Sequence, residues 1–143
     1  LTNDVIALRE ASTYIATQTR ATSYSATSTT VAGAADVFAS DLTFTAVSGK
    51  LYAFELTAGH LLNGSTSANV DVHLVNGAGT SLGTMAFLRS GAGAIWVPLN
   101  LKHLYAAGSG SVSFNIRVVS STSDGTLDPG GFLTRLAVYG PID

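Results

Sequence analysis

From about residue 36 onward, apolar and polar residues alternate in short runs separated by glycine-rich breaks. Val37 to Ala46 and Lys50 to Thr57, joined through Ser48-Gly49-Lys50, read as a β-hairpin with one apolar and one wetter face. A long loop is predicted over 58–68, after which Val70, Val72 and Leu74 alternate with Asp71 and His73. Asn76-Gly77-Ala78-Gly79 predicts a turn, a strand follows over 82–89, and Gly91-Ala92-Gly93 predicts another turn. Ile95, Val97 and Leu99 then face one way, and Trp96, Pro98 and Asn100 the other, before Ala107-Gly108-Ser109-Gly110 breaks the pattern. The cleanest alternation sets Val112, Phe114, Ile116 and Val118 against Ser113, Asn115 and Arg117. A polar loop from Ser120 to Gly131 leads to a last strand, Phe132 to Tyr139, stopped by Gly140-Pro141.

About eight strands at a spacing near ten residues predict an all-β chain, an antiparallel β-sandwich or jelly roll. Alternation gives each strand one face to bury, so two sheets must stack. The predicted core is Leu42, Phe44, Tyr52, Phe54, Leu56, Val70, Val72, Leu74, Ile95, Val97, Val112, Phe114, Ile116, Val118 and Leu136.

The start of the chain follows another rule. Leu1, Val5, Leu8, Ser12 and Ile15 fall at alternating steps of four and three, so residues 1–18 predict a short N-terminal helix. It either packs on its own domain or ends an inter-chain coiled-coil stalk, with Leu1, Val5, Leu8 and Ile15 as a candidate trimer seam. Two heptads are too short to hold a helix alone in water. Residues 19–143 are then the sandwich domain, opening on a Thr- and Ser-rich stretch that reads as a long polar strand over 20–31 or as a linker.

Composition narrows the function more by exclusion than by indication. Charged residues make up 11% of the 143 positions, the net charge is −2, and the seven Lys and Arg are scattered, so no nucleic-acid partner is expected. The same scarcity beside 46% hydrophobic residues leaves apolar exterior for sister copies to cover. Cysteine is absent, and no run reaches the ~18 apolar residues of a membrane span, so no membrane insertion is expected. The start at Leu1 suggests a piece of a longer chain.

Candidate chemistry is thin. His73 two residues from Asp71 shares a strand face with it, but zinc needs three or four such ligands. Asp124-Gly125 with Asp128 lacks the acidic ladder of a calcium loop. No G-x-S-x-G elbow occurs, and Glu55 and Asp71 read as outward strand positions rather than a cleft pair. The expectation is therefore a non-enzymatic protein without catalytic residues, cofactor or metal. Trp96 invites more attention: it packs within its own domain, lies between subunits or touches a ligand, with Tyr105, His60 and Tyr139 as companions.

Several stretches together resemble a known family. They are Leu8-Arg9, Ser12-Thr13-Tyr14-Ile15 and Thr19-Arg20; the Ser48-Gly49-Lys50-Leu51-Tyr52 turn; and the closing Phe132-Leu133-Thr134-Arg135-Leu136-Ala137-Val138-Tyr139-Gly140-Pro141. This set is similar to the C-terminal β-sandwich domains of tailed-phage minor tail or receptor-binding proteins, especially those of actinobacteriophages. Tyr139 stands where that family usually has Leu. The resemblance implies a virion protein at the tail tip or particle surface, homotrimeric, in contact with other virion proteins and with host cell-surface glycan. It brings no binding residues to transfer. Two alternatives remain: a carbohydrate-binding module built on Trp96, and a capsid decoration protein.

Overall fold

The computed structural model describes residues 19–63, 69–88, 95–130 and 133–142, with side chains described there except at 30–32, 95–96 and 122–124. The predicted helix and its seam of Leu1, Val5, Leu8 and Ile15 lie outside the described residues. The described residues form nine strands: β1 (Thr19–Ser25), β2 (Thr29–Asp36), β3 (Leu42–Ala46), β4 (Leu51–Asn63), β5 (Val70–Asn76), β6 (Ser81–Leu88), β7 (Ile95–Ala106), β8 (Gly110–Asp128) and β9 (Thr134–Ile142). Every pairing is antiparallel.

Two sheets stack. One runs β1-β9-β4-β7; in the other, β2 and β3 line one side of β8 while β5 and then β6 lie on the other. The sheets join at one corner, because β8 changes partners along its length. Its first half pairs with β3 and β5, while Gly125–Asp128 pairs with His60–Asn63 of β4. Strands that switch sheets in this way form the corners of a sandwich.

The predicted hairpin between β3 and β4 does not form. Strand β3 pairs with β8, whereas β4 pairs with β7, β9 and the end of β8. Both runs carry one apolar face, Leu42, Phe44 and Ala46 in β3 and Tyr52, Phe54 and Leu56 in β4, all at most 8% exposed. Side by side, those faces would point the same way and still need a cover. Face to face, they cover each other. Phe44 meets Tyr52 at 5.0 Å and Phe54 at 6.2 Å between ring centroids, and Phe54 meets Phe114 of β8 at 4.7 Å. The connection is an arch between layers, closed by the Lys50 amide donating to Val47 O at 3.2 Å, with Gly49 at φ +77°.

Other boundaries moved for related reasons. The polar stretch 20–31 divides into β1 and β2. The predicted loop from residue 58 is strand as far as Asn63, interrupted by a bulge: Ala58 pairs with Leu99 and Leu61 with Val97, which leaves one extra residue on β4. Residues Ser120 to Asp128, predicted as loop, are strand because β2 and β4 supply backbone partners. Gly140-Pro141 does not stop β9, since Ile142 still pairs with Leu51. Of the predicted core, Val97 and Val112 are only half-buried and the Ile95 side chain lies outside the description; the other twelve are buried.

The β4 bulge sets up a sharp test. A Cβ on Gly59 would lie 2.5 Å from the Pro129 carbonyl carbon and 2.6 Å from Gly130 N, both backbone atoms that cannot rotate away. Gly59→Ala is therefore expected to cost about 1–3 kcal/mol, read as a lower midpoint in urea denaturation. A neutral result would show that β4 and the Pro129 turn are not in this contact.

Candidate functional site

Two of the four candidate contact residues, Tyr105 and Tyr139, face different ways. Tyr139 on β9 and Tyr105 on β7 occupy opposite faces of one sheet: Tyr139 is opposite Ala53, whose other partner is the exposed Leu104, while Tyr105 is opposite the buried Tyr52. His60 sits in the β4 bulge, where its Nε2 lies 3.7 Å from Asp128 Oδ2. The Trp96 backbone pairs with Leu62, and its side chain is outside the description. Tyr105 and Tyr139 therefore belong to different surfaces.

The two exterior faces of the sandwich differ in chemistry. Outside the β8-containing sheet, Arg117 Nε donates to Asp36 Oδ1 at 2.8 Å, and its Nη1 donates to Gly79 O at 3.0 Å. His73 lies 3.8 Å from Asp71 and 2.9 Å from Ser81 Oγ. The hydrogen bond that Arg117 donates to Asp36, opposed by burial and reinforced by the charges of Asp36 and Asp41, raises the Arg117 pKa above its ordinary value. This face is polar and its charges are paired, although Phe87 on edge strand β6 is 59% exposed.

Outside the β1-β9-β4-β7 sheet, successive cross-strand rows read Ile142-Leu51-Ala106, Tyr139-Ala53-Leu104, Ala137-Glu55-Lys102 and Arg135-Thr57-Asn100. Two of the four rows contain no charge at all. In the other two, Glu55 is held between Arg135 at 3.2 Å and Lys102 at 4.0 Å. Leu104 is 53% exposed, Leu51 43% and Tyr24, opposite Arg135 on β1, 58%. Among the described residues, three of the six exposed large apolar side chains thus share this sheet face, Leu51 and Leu104 on one side of the ionic patch and Tyr24 on the other.

A second feature is a cleft of about 370 Å³ at one end of the sandwich, lined by Asn76, Leu82, Tyr105, Val112, Ser113 and Phe114 among others. It arises because β5 ends at Asn76, opposite Phe114, while β8 begins four residues earlier at Gly110. The β5–β6 turn closes one wall and is tightly fastened. Asn76 Oδ1 accepts from the amides of Ala78 at 3.0 Å and Thr80 at 2.9 Å, and Gly77 N donates to Ser113 O at 2.9 Å. The opposite wall is Tyr105, braced edge-on against Phe114 at 6.3 Å and beside His103 at 6.5 Å. The aromatic Tyr105 was identifiable as a candidate from its residue type. Asn76 read only as a turn residue and Ser113 only as a wet strand position, and no spacing in the chain links them.

Among the described residues, no group of three or more His, Asp or Glu side chains is placed to hold a metal ion.

Neither a protein-family model nor a curated protein sequence matches the chain. Among solved structures, murine APRIL is similar over 85% of this chain and 98% of its own, with 9% identity and a TM-score of 0.49. The CBM22-1-GH10 modules of Clostridium thermocellum xylanase 10B are similar over 68% of this chain, with 9% identity and a TM-score of 0.35. A structure of infectious bursal disease virus is similar over 87%, with 16% identity and a TM-score of 0.35. The chain spans 19% and 38% of those last two chains.

Proposed function

We propose that this jelly-roll-like sandwich is a non-enzymatic structural domain of a virion, a tail-tip or spike protein, that associates with two sister copies and displays its loops toward a host surface. The virion setting follows from the sequence resemblance to phage tail proteins. The observation that carries the assembly is the exterior of the β1-β9-β4-β7 sheet, where Leu51, Leu104 and Tyr24 are each at least 43% exposed on one face. Sister copies are the occupant that suits this face. Its Glu55, Lys102 and Arg135 already neutralise one another in part, so an apolar copy meets few bare charges. The opposite exterior, with Asp36, Arg117, Asp71 and His73, is suited to water.

The assembly is tested by sedimentation or light scattering of the chain at micromolar concentration. The expected species has three times the chain mass, and Leu104→Arg is expected to give monomers, because each interface would then bury an uncompensated guanidinium. Leu104 is half-exposed on an outer face, so the substitution leaves the core intact. A wild-type chain that stays monomeric would remove the reading. A trimer indifferent to Leu104→Arg would move the contact to another face.

A further inference from the structure

The cleft between Tyr105 and the β5–β6 turn has the makings of a small-molecule site, and its chemistry limits what it can take. Its volume of about 370 Å³ corresponds to roughly a dozen waters and falls in the range of ligand pockets. Tyr105, Leu82, Val112 and Phe114 supply the apolar half of the wall, polar groups make up the other half, and no Asp, Glu, Lys, Arg or His lines it. An anion or a cation would therefore lose hydration without gaining a counter-charge.

Two polar groups on the inward-facing lining residues are uncommitted among the described residues. Both Asn76 Oδ1 contacts are to turn amides, which orient the carboxamide and leave its Nδ2 donors without a partner among the described residues. The Ser113 carbonyl takes the Gly77 amide, and the Tyr105 hydroxyl has no partner among the described residues. A purely apolar ligand would strand both groups. A neutral ring with adjacent hydroxyls and one C–H face satisfies them and covers the apolar wall at once.

We infer that this cleft binds a neutral pyranose ring, with its C–H face against Tyr105, Leu82 and Val112 and its hydroxyls on Asn76 Nδ2 and the Tyr105 hydroxyl. The site lies within one chain, so the inference does not rest on the assembly proposed above.

The test is a ¹H–¹⁵N titration of the whole chain with glucose, galactose and mannose, and with glucuronate as the charged comparator. At least one neutral hexose is expected to give saturable shifts at Asn76–Thr80, Tyr105 and Ser113, with a Kd of about 1–10 mM. Tyr105→Phe, and Asn76→Asp, which keeps the acceptor for the turn amides but removes the Nδ2 donors, are each expected to weaken binding by about fivefold. Tyr105→Ala should abolish it. The inference is overturned by no saturable shift up to about 100 mM, tenfold above that range. Shifts that map elsewhere, indifference to both conservative variants, or tighter binding of glucuronate than of every neutral hexose would overturn it as well. Sedimentation of the same samples keeps this outcome separate from that of the assembly.

Discussion

Phe54→Ala is expected to lower the stability of the fold by about 4 kcal/mol, among the largest losses any single truncation can cause here. Phe54 is fully buried, and its ring meets those of Phe44 at 6.2 Å and Phe114 at 4.7 Å. Those two residues are backbone partners of each other's strands, β3 and β8, in the sheet opposite β4. The Phe54 ring is therefore a joint between layers, and removing it takes away contacts that neither sheet can supply alone. Three costs add: lost burial of a large side chain, a cavity between two hydrogen-bonded sheets that cannot collapse freely, and lost aromatic pairs. In urea, with a slope of about 2 kcal/mol/M, the midpoint should fall by about 2 M. Leu133→Ala, at a side chain 50% exposed, should stay within about 0.5 kcal/mol and serves as the control. A Phe54→Ala loss below about 1.5 kcal/mol would mean that the layers do not meet at this ring.

That joint also explains which parts of the architecture were readable in advance. Alternation names the faces that must be buried, and most side chains of β3, β4, β5 and the first half of β8 obey it, with Ala53, Val75 and Asn115 buried against the pattern. It does not name the partner. A two-faced run followed by a tight turn is equally compatible with a hairpin and with an arch, and the choice between them depends on strands far along the chain. Here β8 takes β3, while β9 and β7 take β4, so the turn at Gly49 crosses between sheets. The second half of β8 presents the same difficulty in polar form. Ser120 to Asp128 is rich in Ser, Thr, Asp and Gly and looks like loop, yet β2 and β4 hold it from both sides and bury Gly125 and Leu127. Its backbone is satisfied by residues some 60 to 100 positions away, which no local window contains.

The same limit applied to the candidate sites. Residue type singles out Tyr105, Tyr139 and His60, and type alone does not separate a residue facing the interlayer cleft from one on the outer sheet face. The parity that separates Tyr105 from Tyr139 comes from their partners Tyr52 and Ala53, adjacent residues of β4 that point opposite ways. The exposed apolar residues on one exterior were foreshadowed by the low charge of the whole chain. Their location required the cross-strand register.

Asn115 carries the second large expected effect. It belongs to the wet side of the cleanest alternating run, yet it is only 2% exposed. Between the pairs Asp36–Arg117 and Leu42–Phe114, the neighbouring edge passes through residues 37–41 while β8 offers only Ile116 and Asn115. The Asn115 carboxamide fills the mismatch. Its Oδ1 accepts from Phe38 N at 3.2 Å and Ile116 N at 2.8 Å, while Nδ2 donates to Phe38 O and Asp41 Oδ1, each at 3.0 Å. Asn115→Asp keeps the shape and both acceptor contacts but removes the donors and sets a carboxylate against Asp41. Burial and that neighbour hold the introduced carboxyl's folded-state pKa above its unfolded value of about 3.9. Below that unfolded value the group is neutral in both states, and the cost is chiefly the altered hydrogen bonding. As the pH rises through about 3.9 toward the raised folded value, the unfolded chain releases its proton first, so the penalty grows and then levels off. The expected loss is about 3 kcal/mol at neutral pH. Asn115→Ala should lose about 2 kcal/mol with little dependence on pH, because it strands the Phe38 amide and carbonyl without adding a charge. Urea denaturation of both variants and the wild type between pH 3 and 7 measures the difference directly. An Asn115→Asp deficit that stays flat across that range would show that Asp41 does not face this position, and that residues 37–41 are held to β8 by something other than this side chain.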